Sequence, residues 1–460
     1  MASKSKRARM APVRDLSKSF LYWAIAVFVI KIGIIFRIEG INAGSGDSVF
    51  FVDGAWLGAD GENYLTGYNA LLRDGIFSTE GILNYWPAGY PLFIFILSFL
   101  GESWVLTTLS IAQSAFFSYA VYFFAQQLIQ TRLKTFANLV FFLVLLNPTL
   151  SLSSIVIGYE SMVASGILLS LGLILRSLIA KKEVSFIKYL VFNSIILSLL
   201  SMFQPRFLLM AVLLNITWII ISKGMKASTA LVVFSVVLTL IFPASLAYRN
   251  HQAIGQYIIS TNLGVTMNIG AGNGATGGFK IRGEYGVPCE LTGSVVQQDN
   301  QRVKCVLEWY LQNPKKGLQL FLNKTIFFWS PWFGPLENGT MGRNPWLTVH
   351  PIKQSISDKE TLAFVYGNFG RVISWLWLIC SLGLMVYGFR VLWVARSIEK
   401  QIALLSAFVI IPNWLISLLT IGDHRFRIPI MGISIFLQSV GLKHILNKGK
   451  RTLLANSDLR

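Results

Sequence analysis

Residues 53–91, DGAWLGADGENYLTGYNALLRDGIFSTEGILNYWPAGYP, interrupt an otherwise oily chain just after its first hydrophobic span. Asp53, Asp60 and Glu62 fall within this stretch, followed by tyrosines and leucines at helical spacing and a Trp-Pro-Ala-Gly-Tyr-Pro turn. Tyr64, Tyr68, Leu71 and Leu72 recur at steps of three and four, which aligns them on one face of a 3.6-residue helix. Asp60 stands at or just before the start of that helix. An N-cap role for Asp60 or Asn63 would satisfy orphan backbone amides. A carboxylate at that end also stays ionised, which suits a general base. Glu62 reads as a surface residue.

The surrounding composition explains why such a polar insert stands out. Of 460 residues 54% are hydrophobic and only 13% charged, the balance of an all-α polytopic membrane protein. The net charge of +19 sits mainly in short Lys/Arg clusters beside apolar spans, where it sets topology and meets anionic headgroups. No soluble basic domain is present, so no nucleic acid is expected as a partner. Three cysteines rule out a disulfide scaffold. Cys289 and Cys305 share one hydrophilic segment; in an oxidising compartment they could pair, a closure worth about 3 kcal/mol, and otherwise they are two free thiols. His251, His350, His424 and His444 are scattered and match no zinc spacing.

The chain opens with six Lys or Arg in residues 1–19 and then an apolar run from about Phe20 to Ile38, read as a retained helix with its amino end in the cytoplasm. That leaves residues 39–103 outside. Pro91 to Leu100 is too short to span a bilayer. Further spans are predicted at 104–129, 135–152, 161–180, 185–203, 206–222 and 228–247, with turns alternating between basic and uncharged as the positive-inside rule requires. Residues 248–370 form a large hydrophilic, glycine-rich outside region whose apolar patch, Leu318 to Phe333, reads as an interfacial helix. Spans at 371–394, 402–420 and 427–445 complete about ten, followed by a cytoplasmic tail, 446–460. The core at 20–247 carries the first outside loop; 371–445 forms the C-terminal helices.

Several side chains sit where chemistry could occur. Glu160 lies at a membrane boundary and reads either as a cap on its helix or as a carboxylate that faces the first loop and orients an acceptor, a base or a metal. Arg249, Arg425 and Arg427 lie at outside boundaries, with Arg206 close to one. Each could bind a phosphate through bidentate, charge-assisted contacts or snorkel to headgroups. The densest cluster is Asp423-His424-Arg425-Phe426-Arg427. The run Gly270 to Gly278 fits neither a Walker loop nor a dinucleotide fingerprint and is expected to be a flexible loop framing an acceptor. Asn262 and Asn268 either bond sugar hydroxyls or stabilise turns.

The order Asp60-x-x-x-Tyr64, Ala70-Leu71-Leu72-x-x-Gly75 and Trp86-Pro87-x-Gly89-Tyr90-Pro91-Leu92, all after the first span, resembles the GT-C membrane glycosyltransferases. The nearest branch is the bacterial relatives of the protein O-mannosyltransferases and of the lipid A aminoarabinose transferase. Glu160-Ser161, Arg249-Asn250, Ser260-Thr261-Asn262-x-Gly264, Asn268-x-Gly270 and Arg425-Phe426-Arg427-x-Pro429 extend the likeness over most of the chain. The resemblance implies a GT-C-like bundle of about ten transmembrane helices with interfacial helices and a large extracytoplasmic loop region. It implies a polyprenyl-phosphate sugar donor and an extracytoplasmic acceptor beside the membrane lipids. The reaction it implies is an inverting transfer at the outer face, in the bacterial inner membrane. The base role maps to Asp60, with Asp53 in reserve. Tyr64, Trp86, Asn262, Asn268 and His424 would face sugar or acceptor, and Arg206, Arg249, Arg425 and Arg427 the donor phosphate. One departure is that Tyr85-Trp86 stand before Pro87 where some relatives carry a basic residue, which shifts phosphate binding toward the later arginines. A divalent metal, Mg or Mn, stays open as a cofactor.

The rival expectation is a polytopic lipid or sugar transporter, a flippase of envelope biogenesis, which should show charged or proline-broken spans in two related halves. Here the acidic residues gather in the outside loops instead. A non-enzymatic envelope scaffold would tolerate loss of Asp60.

Overall fold

The computed structural model describes residues 13–37, 50–52, 55–57, 61–131, 133–180, 183–224, 229–278, 286–329, 368–395 and 398–457. In chain order these form α1 (Val13–Arg37), β1 (Phe50–Val52), β2 (Ala55–Leu57), α2 (Gly61–Asp74), α3 (Ile82–Tyr85), α4 (Gly89–Ser98), α5 (Val105–Ile129), α6 (Lys134–Leu145), α7 (Pro148–Ser153) and β3 (Val156–Ile157). There follow α8 (Tyr159–Ala180), α9 (Glu183–Phe203), α10 (Leu208–Lys223), α11 (Thr229–Ile254), α12 (Leu263–Ile269), α13 (Val295–Gln312), α14 (Pro314–Trp329), α15 (Asn368–Val394), α16 (Ile398–Leu419) and α17 (Met431–Ser457). Short 3-10 turns, Pro205–Phe207 and His424–Ile430, lead into α10 and α17. Asp53 and Asp60 lie outside the described residues.

Among the described residues nine helices are long and apolar enough to cross a membrane, and the protein is an integral membrane protein. A helix satisfies its own backbone hydrogen bonds, which is what allows such segments to sit in hydrocarbon. Eight of the nine coincide with expected spans at 20–38, 104–129, 161–180, 185–203, 206–222, 228–247, 371–394 and 402–420, and the ninth covers 427–445. The expected span at 135–152 is corrected. Its helix stops at Leu145, and Asn147 caps a new six-residue helix, its side chain accepting from the Leu150 amide at 3.0 Å. Pro148 cannot continue a helix from the preceding turn but is well suited to start one. The chain therefore returns from the end of α5 to the start of α8 through two short helices. Two predicted boundaries also shift: α11 runs on to Ile254, and α17 continues to Ser457.

The bundle packs α5 between α1 and α8, α9 against α8, α10 and α11, and α16 against α10, while α17 closes on α6 and α15. Phe117, Phe141, Trp218 and Phe436 are fully buried at these seams. Lipid tails are as apolar as the side chains, so helices need close approach or polar contacts to select partners. Both occur. A Cβ on Gly388 would strike the Leu437 carbonyl, and one on Gly441 the Leu384 carbonyl, so α15 and α17 meet at their backbones. Asn215 on α10 bonds Asn193 and Ser194 on α9 at 2.8 and 3.0 Å and Thr239 on α11 at 3.1 Å.

Beyond the bundle, α12, α13 and α14 enclose a second small core of Met267, Ala271, Ala275, Val287, Val306, Trp309 and Leu320. Cys289 and Cys305 are disulfide-bonded beside it. Ser294 and Gln297 form a reciprocal capping box that starts α13. On α2 the predicted face is buried at Tyr64, Tyr68 and Leu71, but Leu72 is exposed and Gly67 and Ala70 complete the buried side. That face meets α4. A three-stranded patch, β1 antiparallel to β2 and β2 parallel to β3, joins the first loop to the start of α8.

Candidate active site

Residues 154–158 are held by side chains of one face of α5, which fixes where α8 begins. Ser114 Oγ donates to the Ser154 carbonyl at 3.1 Å, Ser110 Oγ to Ile155 at 2.9 Å and Gln113 Nε2 to Val156 at 2.9 Å. Tyr90, completely buried in α4, donates its hydroxyl to Gln113 Oε1 at 2.7 Å and accepts from the Gly158 amide at 3.0 Å. On the other flank Lys31 of α1 donates to Ser154 Oγ at 2.8 Å, its Nζ 4.2 Å from the Phe117 ring centroid. Polar groups this deep must be paired, so the row forms a rigid seat rather than a loose loop.

Glu160 follows in the first turn of α8, where the helix dipole favours a carboxylate. Its Oε1 accepts from both Nε and Nη2 of Arg425 at 2.5 Å, a pair separated by 265 residues in sequence. Arg425 belongs to the 3-10 turn before α17, and Asp423 shapes that turn by accepting from the Arg425 amide at 2.8 Å. Both partners are nearly buried, with side chains 12% and 5% exposed. At such burial a charge needs a close counter-charge, and each partner here supplies one for the other.

Two further arginines converge on the same turn. Arg206 Nη2 donates to Asn413 Oδ1 at 2.8 Å and to the Phe426 carbonyl at 3.1 Å, while its guanidinium lies 4.0 Å from the Phe426 ring centroid. Arg427 is buried beside Trp329, 5.8 Å from that ring. His424 is also buried, its Nδ1 3.8 Å from Asp423 Oδ1. Tyr64 of α2 stands edge-on to Tyr90 at 5.0 Å and to Tyr159 at 6.2 Å, linking the first loop to the Glu160 corner. One end of the bundle thus gathers three arginines, Glu160 and Asp423.

The other predicted residues lie to one side of this corner. Arg249 donates to the carbonyl of Ile76 at 2.9 Å, to Asn84 Oδ1 at 2.9 Å, to Asn250 Oδ1 at 2.7 Å and to the Ser78 carbonyl. Its side chain ties the end of α11 to the first loop. Asn84 is joined in turn to the Thr261 amide at 2.9 Å. Asn268 bonds both polar groups of Val287, accepting at 2.6 Å and donating at 3.2 Å, a turn-stabilising contact. Asn262 accepts from Ser260 Oγ at 3.2 Å, and Trp86 is half-buried and edge-on to Tyr85. Among the described residues no group of three or more His, Cys, Asp or Glu could hold a metal ion.

Tyr90, Gln113, Lys31 and Asn413 were not singled out from sequence. The signal available for Lys31 was a charge inside an apolar run, and for Tyr90 its position in the Trp-Pro-x-Gly-Tyr-Pro turn. Tyr90→Phe keeps the ring but strands Gln113 Oε1 and the Gly158 amide. It should lower stability by about 1–3 kcal/mol, seen as a lower melting temperature in detergent.

No family model matches this chain, and no curated protein matches it. The chain aligns with two solved structures. One is the archaeal oligosaccharyltransferase AglB from Archaeoglobus fulgidus in complex with an inhibitory peptide and a dolichol-phosphate, at 13% identity and a TM-score of 0.45. The other is the oligosaccharyltransferase of the same organism in its apo form, at 13% identity and a TM-score of 0.46. Each alignment covers 95% of this chain and 52% of the other, so the chain spans about half the length of those proteins.

Proposed function

We propose that this protein is a glycosyltransferase that moves one sugar from a polyprenyl-phosphate donor to an extracytoplasmic lipid, polysaccharide or protein. The observation that supports it best is the convergence of Arg206, Arg425 and Arg427 on the turn that Glu160 anchors. In the reaction an acceptor hydroxyl attacks the anomeric carbon. Asp60 takes its proton, and the bond from that carbon to the phosphate oxygen breaks with its electron pair. The departing lipid phosphate gains negative charge, and preorganised guanidinium groups in a low-dielectric site stabilise such a change strongly. Attack opposite the leaving phosphate inverts the centre.

Division of labour follows from the contacts. Glu160 holds Arg425 in place, and Arg427 and Arg206, which gather at the same turn, are assigned to the phosphate. Arg249, with its donors engaged by Ile76, Ser78, Asn84 and Asn250, keeps the first loop against α11. Trp86, half-buried at the end of that loop, is assigned to a sugar face. The opposite end of the bundle carries Lys134, Lys223, Arg390, Lys400 and Lys443, which supports an active end facing away from the cytoplasm, toward the periplasm of a bacterial inner membrane.

Arg427→Ala removes charge-assisted hydrogen bonds worth about 1.5–3 kcal/mol, so the KM for the lipid-phosphate donor should rise roughly tenfold to a hundredfold. The KM for the acceptor should change little. Steady-state kinetics with each substrate varied in turn tests this; a larger rise for the acceptor contradicts the assignment. Movement of intact donor across vesicles without sugar transfer would instead favour the transporter reading.

A further inference from the structure

Lys324 lies on α14, outside the nine membrane-crossing helices, and its side chain is fully buried. Nζ donates to the Leu418 carbonyl at 2.9 Å and to Tyr310 Oη at 2.9 Å, between the rings of Tyr310 and Phe321. Both of these partners are neutral. Leu418 sits in the last turn of α16, where backbone carbonyls lack helical partners and carry the negative end of the dipole.

The same contact gathers the glycine-rich run, which is not a free loop over an acceptor at its described positions. Gly422 N donates to the Gly277 carbonyl at 2.8 Å, Asn323 Nδ2 to Thr276 at 3.0 Å and Tyr310 Oη to Gly270 at 3.3 Å. A Cβ on Gly270 would overlap the Thr420 carbonyl, and one on Gly422 would overlap the Lys324 backbone. Four segments meet here: the glycine run, α13, α14 and the end of α16. Asp423 to Arg427 follow the last of them directly.

We propose that Lys324 is a positioning residue that couples the α12–α14 unit to the arginine-bearing turn and thereby sets the affinity of that turn for a lipid phosphate. The second half of this statement rests on the donor reading above. Methionine in its place would fill the same space yet leave the Leu418 carbonyl and Tyr310 hydroxyl without their donor, and unsatisfied buried groups are costly. The α12–α14 unit, built around its own core and disulfide, is thus fastened to the end of α16 by Lys324 together with the Gly422–Gly277 bond.

Burial pushes the Lys324 amine from 10.5 down to about 7 and the Tyr310 phenol up to about 12. Tyr310 is the titratable group that faces the amine from α13; α16 and the glycine run present backbone carbonyls. The undocked lysine, near its ordinary value, binds more protons than the docked one between about pH 7 and 10.5. Docking therefore strengthens as pH rises through that window and is weakest below about 7. Tyr310 stays protonated across the measurable range.

The test uses the full chain in phosphatidylcholine nanodiscs, with farnesyl phosphate as the lipid-phosphate probe. Hydrogen exchange is followed in peptides covering residues 415–424, with protection corrected for intrinsic exchange. Lys324→Met should lower protection there at least about tenfold and raise the farnesyl phosphate Kd about tenfold, as expected for losing roughly one buried hydrogen-bonded group. Tyr310→Phe, a milder change that retains the ring, should shift both readouts in the same direction by less, and it keeps the test open should Lys324→Met not fold. Protection in the wild type should rise between pH 7 and 9, and Lys324→Met should show no such rise. Unchanged protection in both variants, or an equal pH response in Lys324→Met, overturns the proposal. If protection behaves as expected while the wild type binds no farnesyl phosphate, the coupling is upheld and the donor reading fails.

Discussion

Replacing Glu160 with leucine is expected to destabilise the protein by about 3–5 kcal/mol, because Arg425 would remain buried without its counter-charge. Sugar transfer should be lost as well, since the turn that carries Arg425 and Arg427 has its anchor in that carboxylate. The double variant Glu160→Leu with Arg425→Leu separates the two effects. Removing both charges eliminates the uncompensated burial, so most of the lost stability should return. Transfer should stay low, because the turn that carries Arg427 has still lost its Glu160–Arg425 anchor. Melting temperatures in detergent and a transfer assay on the wild type and both variants check this. A single variant within about 1 kcal/mol of wild type would show that the pair is solvated and weak.

Asp60→Asn should leave folding intact and reduce transfer by about 10²–10⁴-fold, the usual contribution of a positioned general base. Asparagine caps a helix about as well as aspartate, so this substitution retains any role at the start of α2 and removes only the ability to take a proton. Asp53→Asn provides the comparison and should cost no more than a few-fold. The readout is product formed from a lipid-phosphate sugar at saturating donor, alongside the melting temperature. Equal rates for Asp60→Asn and wild type would remove Asp60 from the mechanism.

Local patterns were legible in the sequence and distant pairings were not. Apolar runs of about twenty residues bracketed by lysines and arginines located most of the crossing helices, because bilayer thickness imposes that length. The α2 face was readable from Tyr64, Tyr68 and Leu71, since helical periodicity is local. Leu72 was misassigned because one more residue turns a side chain about 100°. The expected span at 135–152 missed its break because hydropathy counts Pro148 only weakly, whereas its missing amide and ring geometry decide helix continuity. The residue types Glu160 and Arg425 were both readable as candidates; their pairing across 265 positions was not, as nothing local encodes it. Lys324 and Tyr90 were hidden for the same reason. Their importance lies in the carbonyls and amides they satisfy, and those groups come from segments far away in the chain.

The glycine run illustrates the opposite error. Its composition suggests mobility, yet Gly270 and Gly277 lie against α14 and the 420–422 turn, where close backbone approach excludes larger side chains. Small residues at a packing seam and small residues in a flexible loop look alike in sequence and differ only in what surrounds them.

Sugar transfer from a lipid phosphate is tested most directly by a transfer measurement in oriented membrane vesicles containing this protein. A polyprenyl phosphate carrying a radiolabelled hexose or pentose is supplied, and both labelled acceptor and released polyprenyl phosphate are quantified. Right-side-out vesicles should yield equal amounts of the two products, and vesicles with Asp60→Asn neither. Release that is the same for wild type and Asp60→Asn, or no transfer from any lipid-phosphate sugar, would contradict it.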